Sequence, residues 1–179
     1  IGKASPVSLT LNFGSLQQTK TYKYGEIITL DFDLLPTQYA MSFSDQLGNE
    51  YSFNSQITMQ TNITLTAILG NKVKIDFDYG TKTETAYYTP YTMFSLPNLD
   101  RTELEADKKL IAWGNDTAVY SIQESVVAIF NTTYTAVYEQ LFLLTLKNKG
   151  KVVYTGYYEY GTEIDLSTLY QETVSYWLN

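Results

Sequence analysis

Two stretches decide the fold: Thr21-Tyr-Lys-Tyr-Gly-Glu-Ile-Ile-Thr-Leu30 and Tyr157-Tyr-Glu-Tyr-Gly-Thr-Glu-Ile-Asp-Leu166. Each is a tyrosine-rich strand running into a glycine turn, followed by a second apolar alternation. Gly25 and Gly161 lie two steps of about 68 residues apart, a spacing that signals internal repetition. A degenerate middle copy reads Ala86-Tyr-Tyr-Thr-Pro-Tyr-Thr-Met-Phe-Ser-Leu96, with Pro90 standing where the two glycines stand.

Working outward, two further anchors recur at the same period. An alternating strand precedes each tyrosine stretch: Val7 to Phe13, Val73 to Phe77, and Leu144 to Leu146. A closing strand follows, Asn62-Ile-Thr-Leu-Thr-Ala-Ile68 in one copy and Thr132-Thr-Tyr-Thr-Ala-Val-Tyr138 in the next. The expected organisation is therefore repeat 1 over 1–70, repeat 2 over 71–139 and a partial repeat 3, hairpin plus crossover, over 140–179. Gly14-Ser15, Gly80-Thr81 and Asn148 to Gly150 supply the first hairpin turns. Between the hairpin and the later strands the sequence allows a crossover. In repeat 2, Asp100 followed three residues on by Glu103 is a capping-box pattern, with Lys108 and Lys109 placed to end a short helix. In repeat 1, Leu34-Leu35-Pro36-Thr37 allows only a turn, and in repeat 3 a helix can start at Asp165. The expected fold class is mainly β (α+β): tandem β-grasp-like repeats, each of about four strands with a short crossover helix or turn.

These anchors resemble the internalin-type B repeat, also called the Listeria–Bacteroides repeat. Leu11 to Phe13 and Val73 to Phe77 are similar to that family's first strand, Tyr24-Gly25 and Tyr160-Gly161 to its Tyr-Gly strand end, and Pro36 and Pro97 to its proline. Leu110-Ile-Ala-Trp113 is similar to its Phe-x-Gly-Trp element, with Tyr39 to Phe43 and Ser175-Tyr-Trp177 as weaker versions. Thr64-Leu-Thr-Ala67 and Thr133-Tyr-Thr-Ala136 are similar to its closing strand. The family's final Trp is absent from both full repeats, where Leu69 and Glu139 stand. The resemblance implies tandem β-grasp units on secreted bacterial proteins, in spacer or adhesin-like roles, with no enzymatic site. It also places Trp113 and Trp177 in the core.

Composition bounds the function. Of 179 residues, 44% are hydrophobic and only 17% charged, so a core is available and much of the polar surface falls to Thr, Ser, Asn, Gln and 17 tyrosines. The net charge of −7 and the absence of a basic stripe disfavour nucleic acid and anionic membrane; Lys147 to Lys151 reads as a hairpin turn. No apolar run reaches the roughly 18–20 residues of a membrane span. The absence of Cys and His removes thiolate chemistry, disulfides, the commonest general base and the commonest transition-metal ligands. No phosphate loop, nucleophile motif or metalloprotease motif is present. The start at Ile1, with no signal peptide, fits an excised or processed segment of a longer protein.

Candidate sites are few. Asp31-Phe-Asp33 and Asp76-Phe-Asp78 place paired carboxylates on one strand face, the pattern a hydrolase or hard cation needs; strand alternation with Phe inward and Asp outward is the preferred reading, because nothing else completes a calcium loop. Glu103, Glu105 and Asp107 read as an exposed, capped helix surface. Asn62, Asn115 and Asn131 open N-x-[ST] sequons, a match that arises by chance in a Thr-rich chain. The possible binding surface is Tyr87, Tyr88 and Tyr91 with Tyr154, Tyr157, Tyr158 and Tyr160, about half of which should face solvent and could stack on sugars or anchor a protein. The expectation is a non-catalytic, extracellular repeat segment of a bacterial cell-surface protein, a spacer and adhesion module without cofactor or metal. Its partners would be a cell-surface glycan or a host or extracellular protein, with self-association through the open edge of repeat 3. A glycan- or protein-binding module using exposed tyrosines is the alternative, and a carboxylate-dependent glycan hydrolase the remote one.

Overall fold

A computed structural model describes residues 5–99 and 104–169. The chain is mainly β. The same series of seven strands occurs twice and then begins again. The first series is β1 (Val7–Phe13), β2 (Leu16–Tyr22), β3 (Ile27–Thr29), β4 (Gln38–Asp45), β5 (Glu50–Ser52), β6 (Gln56–Thr58) and β7 (Ile63–Asn71). The second is β8 (Val73–Asp78), β9 (Thr83–Tyr88), β10 (Met93–Ser95), β11 (Lys108–Gly114), β12 (Val119–Ser121), β13 (Ser125–Val127) and β14 (Thr132–Gln140). β15 (Phe142–Asn148) and β16 (Lys151–Tyr158) open a third.

Sheet order repeats with the series. The first five-stranded sheet runs β2-β1-β7-β4-β5 and the second β9-β8-β14-β11-β12, accompanied by the two-stranded ribbons β3-β6 and β10-β13. The first and last strands of repeat 1 are central neighbours and parallel, pairing Leu9 with Ile63 and Leu11 with Leu65. Hairpin and closing strand thus share one mixed sheet, the β-grasp arrangement. Contacts in space define two compact units among the described residues: residues up to 75 with 85–92 and 127–131, and residues 76–84 with 93–126 and 132 onward.

Alternation builds the core. Val7, Leu9, Leu11 and Phe13 all point inward from β1, as period-2 geometry requires. They meet Ile28, Leu30, Ala40, Phe43, Met59, Leu65 and Ala67. In repeat 2 the equivalent layer is aromatic: Phe77, Tyr79, Phe94, Trp113 and Tyr134 are buried. Phe77 meets Trp113 edge-on at 5.6 Å and stacks on Tyr134 at 6.3 Å. The Trp113 indole N–H donates to the Pro97 carbonyl at 2.8 Å, which satisfies its only polar atom. Both inner strands carry a bulge at the same place, between Ala40 and Ser42 and between Leu110 and Ala112. The extra residue, Met41 or Ile111, is pushed outward, so Ala40 and Phe43, like Leu110 and Trp113, point inward three residues apart.

Several expectations change. Each full repeat has seven strands rather than about four, because three-residue strands carry no readable period. Asp31 to Asp33 is irregular chain, not strand, so its carboxylates are not ordered by a pleat. Asp100 to Glu103 lies outside the described residues, as does Trp177. Lys108 and Lys109 begin β11 instead of ending a helix, and residues 105–107 lead into it as a turn. At 166–169 the chain is helical, with the Asp165 carboxylate accepting from the Ser167 backbone N–H at 2.9 Å as an N-cap.

The tyrosine stretches end in one turn, made three times. Backbone N–H groups of Glu26, Thr92 and Thr162 donate to the carbonyls of Lys23, Thr89 and Glu159. The third residue of each turn has positive φ: Gly25 at 81°, Tyr91 at 66° and Gly161 at 77°. That is type II geometry, which asks for glycine there and favours proline one residue earlier. Pro90 therefore stands where Tyr24 and Tyr160 stand, and Tyr91 takes the glycine place.

Candidate binding surface

β15 and β16 pair antiparallel from Phe142↔Tyr158 to Asn148↔Lys151, closed by Lys149 and Gly150, both at positive φ as a type I′ turn requires. Directly opposed residues share a face. One face carries Phe142, Leu144, Leu146, Tyr154, Gly156 and Tyr158; the other carries Leu143, Thr145, Thr155 and Tyr157. The four tyrosines of this hairpin therefore form no single strip. Tyr154 lies across Gly156, where a Cβ would meet its hydroxyl oxygen at 2.5 Å, and its hydroxyl hydrogen-bonds that of Tyr158. Tyr158 occupies the strand end that Tyr22 fills in repeat 1, where the ring is buried. Tyr160 is 85% exposed on its turn, with its ring 6.0 Å from that of Phe142.

A cleft of about 500 Å³ opens where β16 ends. Tyr157, Tyr158 and Thr162 line one side, and Leu99, Leu110 and Leu141 supply apolar wall. The volume falls within the range of small-molecule sites, roughly 300–1,000 Å³. Lys109 and Glu159, both half-exposed, form an ion pair at its margin. Lys108 pairs with Glu105 at 2.5 Å, and that hydrogen bond holds its ammonium above the ordinary lysine range. The cleft thus offers apolar surface, phenols and neutralised charge, a chemistry suited to a polar ring with one apolar face.

The other tyrosine group divides as well. Tyr87 is exposed on β9, while Tyr88 is half-buried, and burial pushes its hydroxyl above the usual tyrosine range. Tyr91 is 78% exposed. It is the one full-sized aromatic among the described residues held at positive φ, a conformation that costs about 1–2 kcal/mol for a residue with a Cβ.

Two of the paired carboxylates, Asp33 and Asp78, have structural partners. Asp33 accepts from the Lys72 ammonium at 2.9 Å, and Asp78 accepts from the Gly80 backbone N–H at 2.8 Å in the hairpin turn. Among the described residues no group of three or more His, Cys, Asp or Glu side chains is placed to hold a metal, and no helix is long and apolar enough to cross a membrane.

Two residues escaped the sequence reading. Asn62 Oδ1 accepts from the Ser8 backbone N–H at 2.9 Å, and Asn131 Oδ1 from that of Lys74 at 2.8 Å. Each ties the start of a closing strand to the start of the repeat's first strand. Their spacing of one repeat length was the available signal, hidden behind the sequon match.

The chain matches no protein-family model, and no curated protein matches it.

Proposed function

We propose that the chain is a non-catalytic repeat segment of a bacterial cell-surface protein, acting outside the cell as a spacer and adhesion module of the internalin-B-repeat kind. The observation that carries the reading is the recurrence of one seven-strand series across single-residue junctions, Lys72 and Leu141. A series that repeats with almost no linker strings like units in tandem, the pattern expected of a spacer. The low charge and the absence of Cys and His fit a role built on packing rather than on proton or electron transfer.

An antibody raised against the purified chain tests location. Labelling of intact cells of the producing bacterium is expected; labelling that needs permeabilised cells would sink the proposal.

Tyr91 favours a second reading, that of a glycan- or protein-binding module. A strained and exposed aromatic stands where glycine fits better, and strain of this kind gathers at working surfaces. Pull-down against cell-wall polysaccharide, a glycan panel and extracellular-matrix proteins separates the two. Saturable binding lost on Tyr91→Ala or on Tyr157→Ala with Tyr158→Ala makes the chain a binder. Binding no greater than that of a control protein of equal charge leaves it a spacer.

A further inference from the structure

We propose that the repeat is a force-bearing module, clamped by its own first and last strands. The inference deepens the spacer reading and rests on it. In repeat 1 the chain comes in along β1 and goes out along β7, through Lys72, into β8. β1 and β7 are hydrogen-bonded neighbours and parallel, in register over Leu9↔Ile63, Thr10↔Thr64, Leu11↔Leu65 and Asn12↔Thr66.

Parallel direction decides how tension acts. The pulling points, the N-terminal end of β1 and the C-terminal end of β7, lie at opposite ends of the pair. Tension along the chain therefore slides one strand past the other, at right angles to the bonds joining them. Every ladder bond is loaded at once and must fail together. Had the points lain at the same end, the bonds would open one at a time.

Three features reinforce the clamp. It is central in its sheet, flanked by β2 and β4, so neither strand can peel outward. Leu9, Leu11, Leu65 and Ala67 are buried beneath it, which keeps water from replacing its bonds stepwise. Asn62 adds a side-chain bond to Ser8 at its start. Repeat 2 is built alike: β8 and β14 are sheet neighbours, Asn131 meets Lys74 at one end, and the Tyr138 hydroxyl donates to the Tyr79 carbonyl at the other. Because one contact joins the two strand starts and the other the two strand ends, those strands run the same way.

The chain has no cysteine, so handles can be attached through introduced thiols alone. Ser5, Thr61 and Asn71 are exposed. The whole chain carrying Ser5→Cys with Asn71→Cys is pulled in shear; carrying Ser5→Cys with Thr61→Cys, it is unzipped from one end. At one loading rate the shear pair is expected to break at several-fold higher force. It should then release the length of residues 7–71, on the order of 220 Å at ~3.4 Å per residue. Asn62→Ala should lower the shear force. Matching circular dichroism verifies that each variant is folded. Equal rupture forces in the two geometries would overturn the clamp, while labelling of intact cells decides the spacer reading separately.

Discussion

At the residue scale two positions carry sharp expectations. Tyr91 sits at φ 66° after Pro90, and Pro-Gly is the pair this turn prefers. Tyr91→Gly removes the clash of Cβ with its own backbone but adds freedom to the unfolded chain, a cost of roughly 0.5–1 kcal/mol. Because the ring is exposed, little packing is lost. The variant should gain about 0.5–1 kcal/mol in urea denaturation; a loss of stability would show that the ring makes a contact the fold needs. Asp45 is the other position. Its carboxylate accepts from the Asn49 side chain and from the backbone N–H groups of Leu47 and Asn49, and with Tyr51 it closes the β4–β5 turn. These bonds, the Asn49 side chain's foremost, hold it below the ordinary aspartate range. A depressed carboxyl stabilises above its unfolded value, near 3.9, and that contribution fades as pH falls through the lower folded value. Asn115 plays the same part in repeat 2, accepting from the backbone of Thr117 and Ala118, and it does not titrate. Amide resonances of Leu47 and Asn49 should therefore move on acidification below about pH 4, and by more than that of Ala118, whose acceptor Asn115 keeps its hydrogen bond at any pH. Equal movement at Asn49 and Ala118 would refute the assignment.

At the element scale the closing strands depend on their asparagines. Asn62→Ala leaves the Ser8 N–H without its acceptor and should cost about 1 kcal/mol, read as a lower urea midpoint; Asn62→Gln restores little, because its longer side chain misplaces the oxygen. No change would mean that water replaces the bond freely. The same scale shows what could be read from the sequence. β1 and β8 were legible because four and three apolar residues alternate without a break, and a buried face enforces that period. The tyrosine stretches were legible as strands ending in turns. Six strands of three residues were not, since such strands are held by their partners: β3 by β6, β10 by β13, β5 by β4 and β12 by β11. The inner strands misled for a different reason. Their bulges break alternation, so Leu110 and Trp113 look unpaired by period 2 although both are buried. On the candidate surface, composition singled out the tyrosines but could not place them in one patch. The register shift at Leu146 and Lys147 resets which β15 side chains share a face with Tyr154.

At the scale of the whole molecule, the proposed spacer role turns on whether the junctions are slack. The two junction residues are treated alike by the fold. The Lys72 backbone N–H donates to the Thr37 carbonyl at 2.9 Å, and that of Leu141 to the Asp107 carbonyl at 2.7 Å. Each is thus tied back to the segment before β4 or β11. Their side chains differ. Leu141 is buried, whereas Lys72 tucks its stem away, only 9% exposed, and sends its ammonium to Asp33 and to the Leu35 carbonyl. That is how a long cation covers apolar surface while keeping its charge paired. A junction amide with a fixed acceptor exchanges slowly, so hydrogen exchange at Lys72 and Leu141 should be retarded to about the level of the adjoining strands. Lys72→Met keeps the stem and removes the charge. It should cost about 1 kcal/mol, a modest figure because Asp33 is half-exposed and water takes up its carboxylate. It should also speed exchange at Lys72 while leaving Leu141 unchanged. Exchange at both amides as fast as in an open loop would mean that the repeats hang on loose joints, and a chain of that kind could transmit tension but could not hold a domain at a fixed distance.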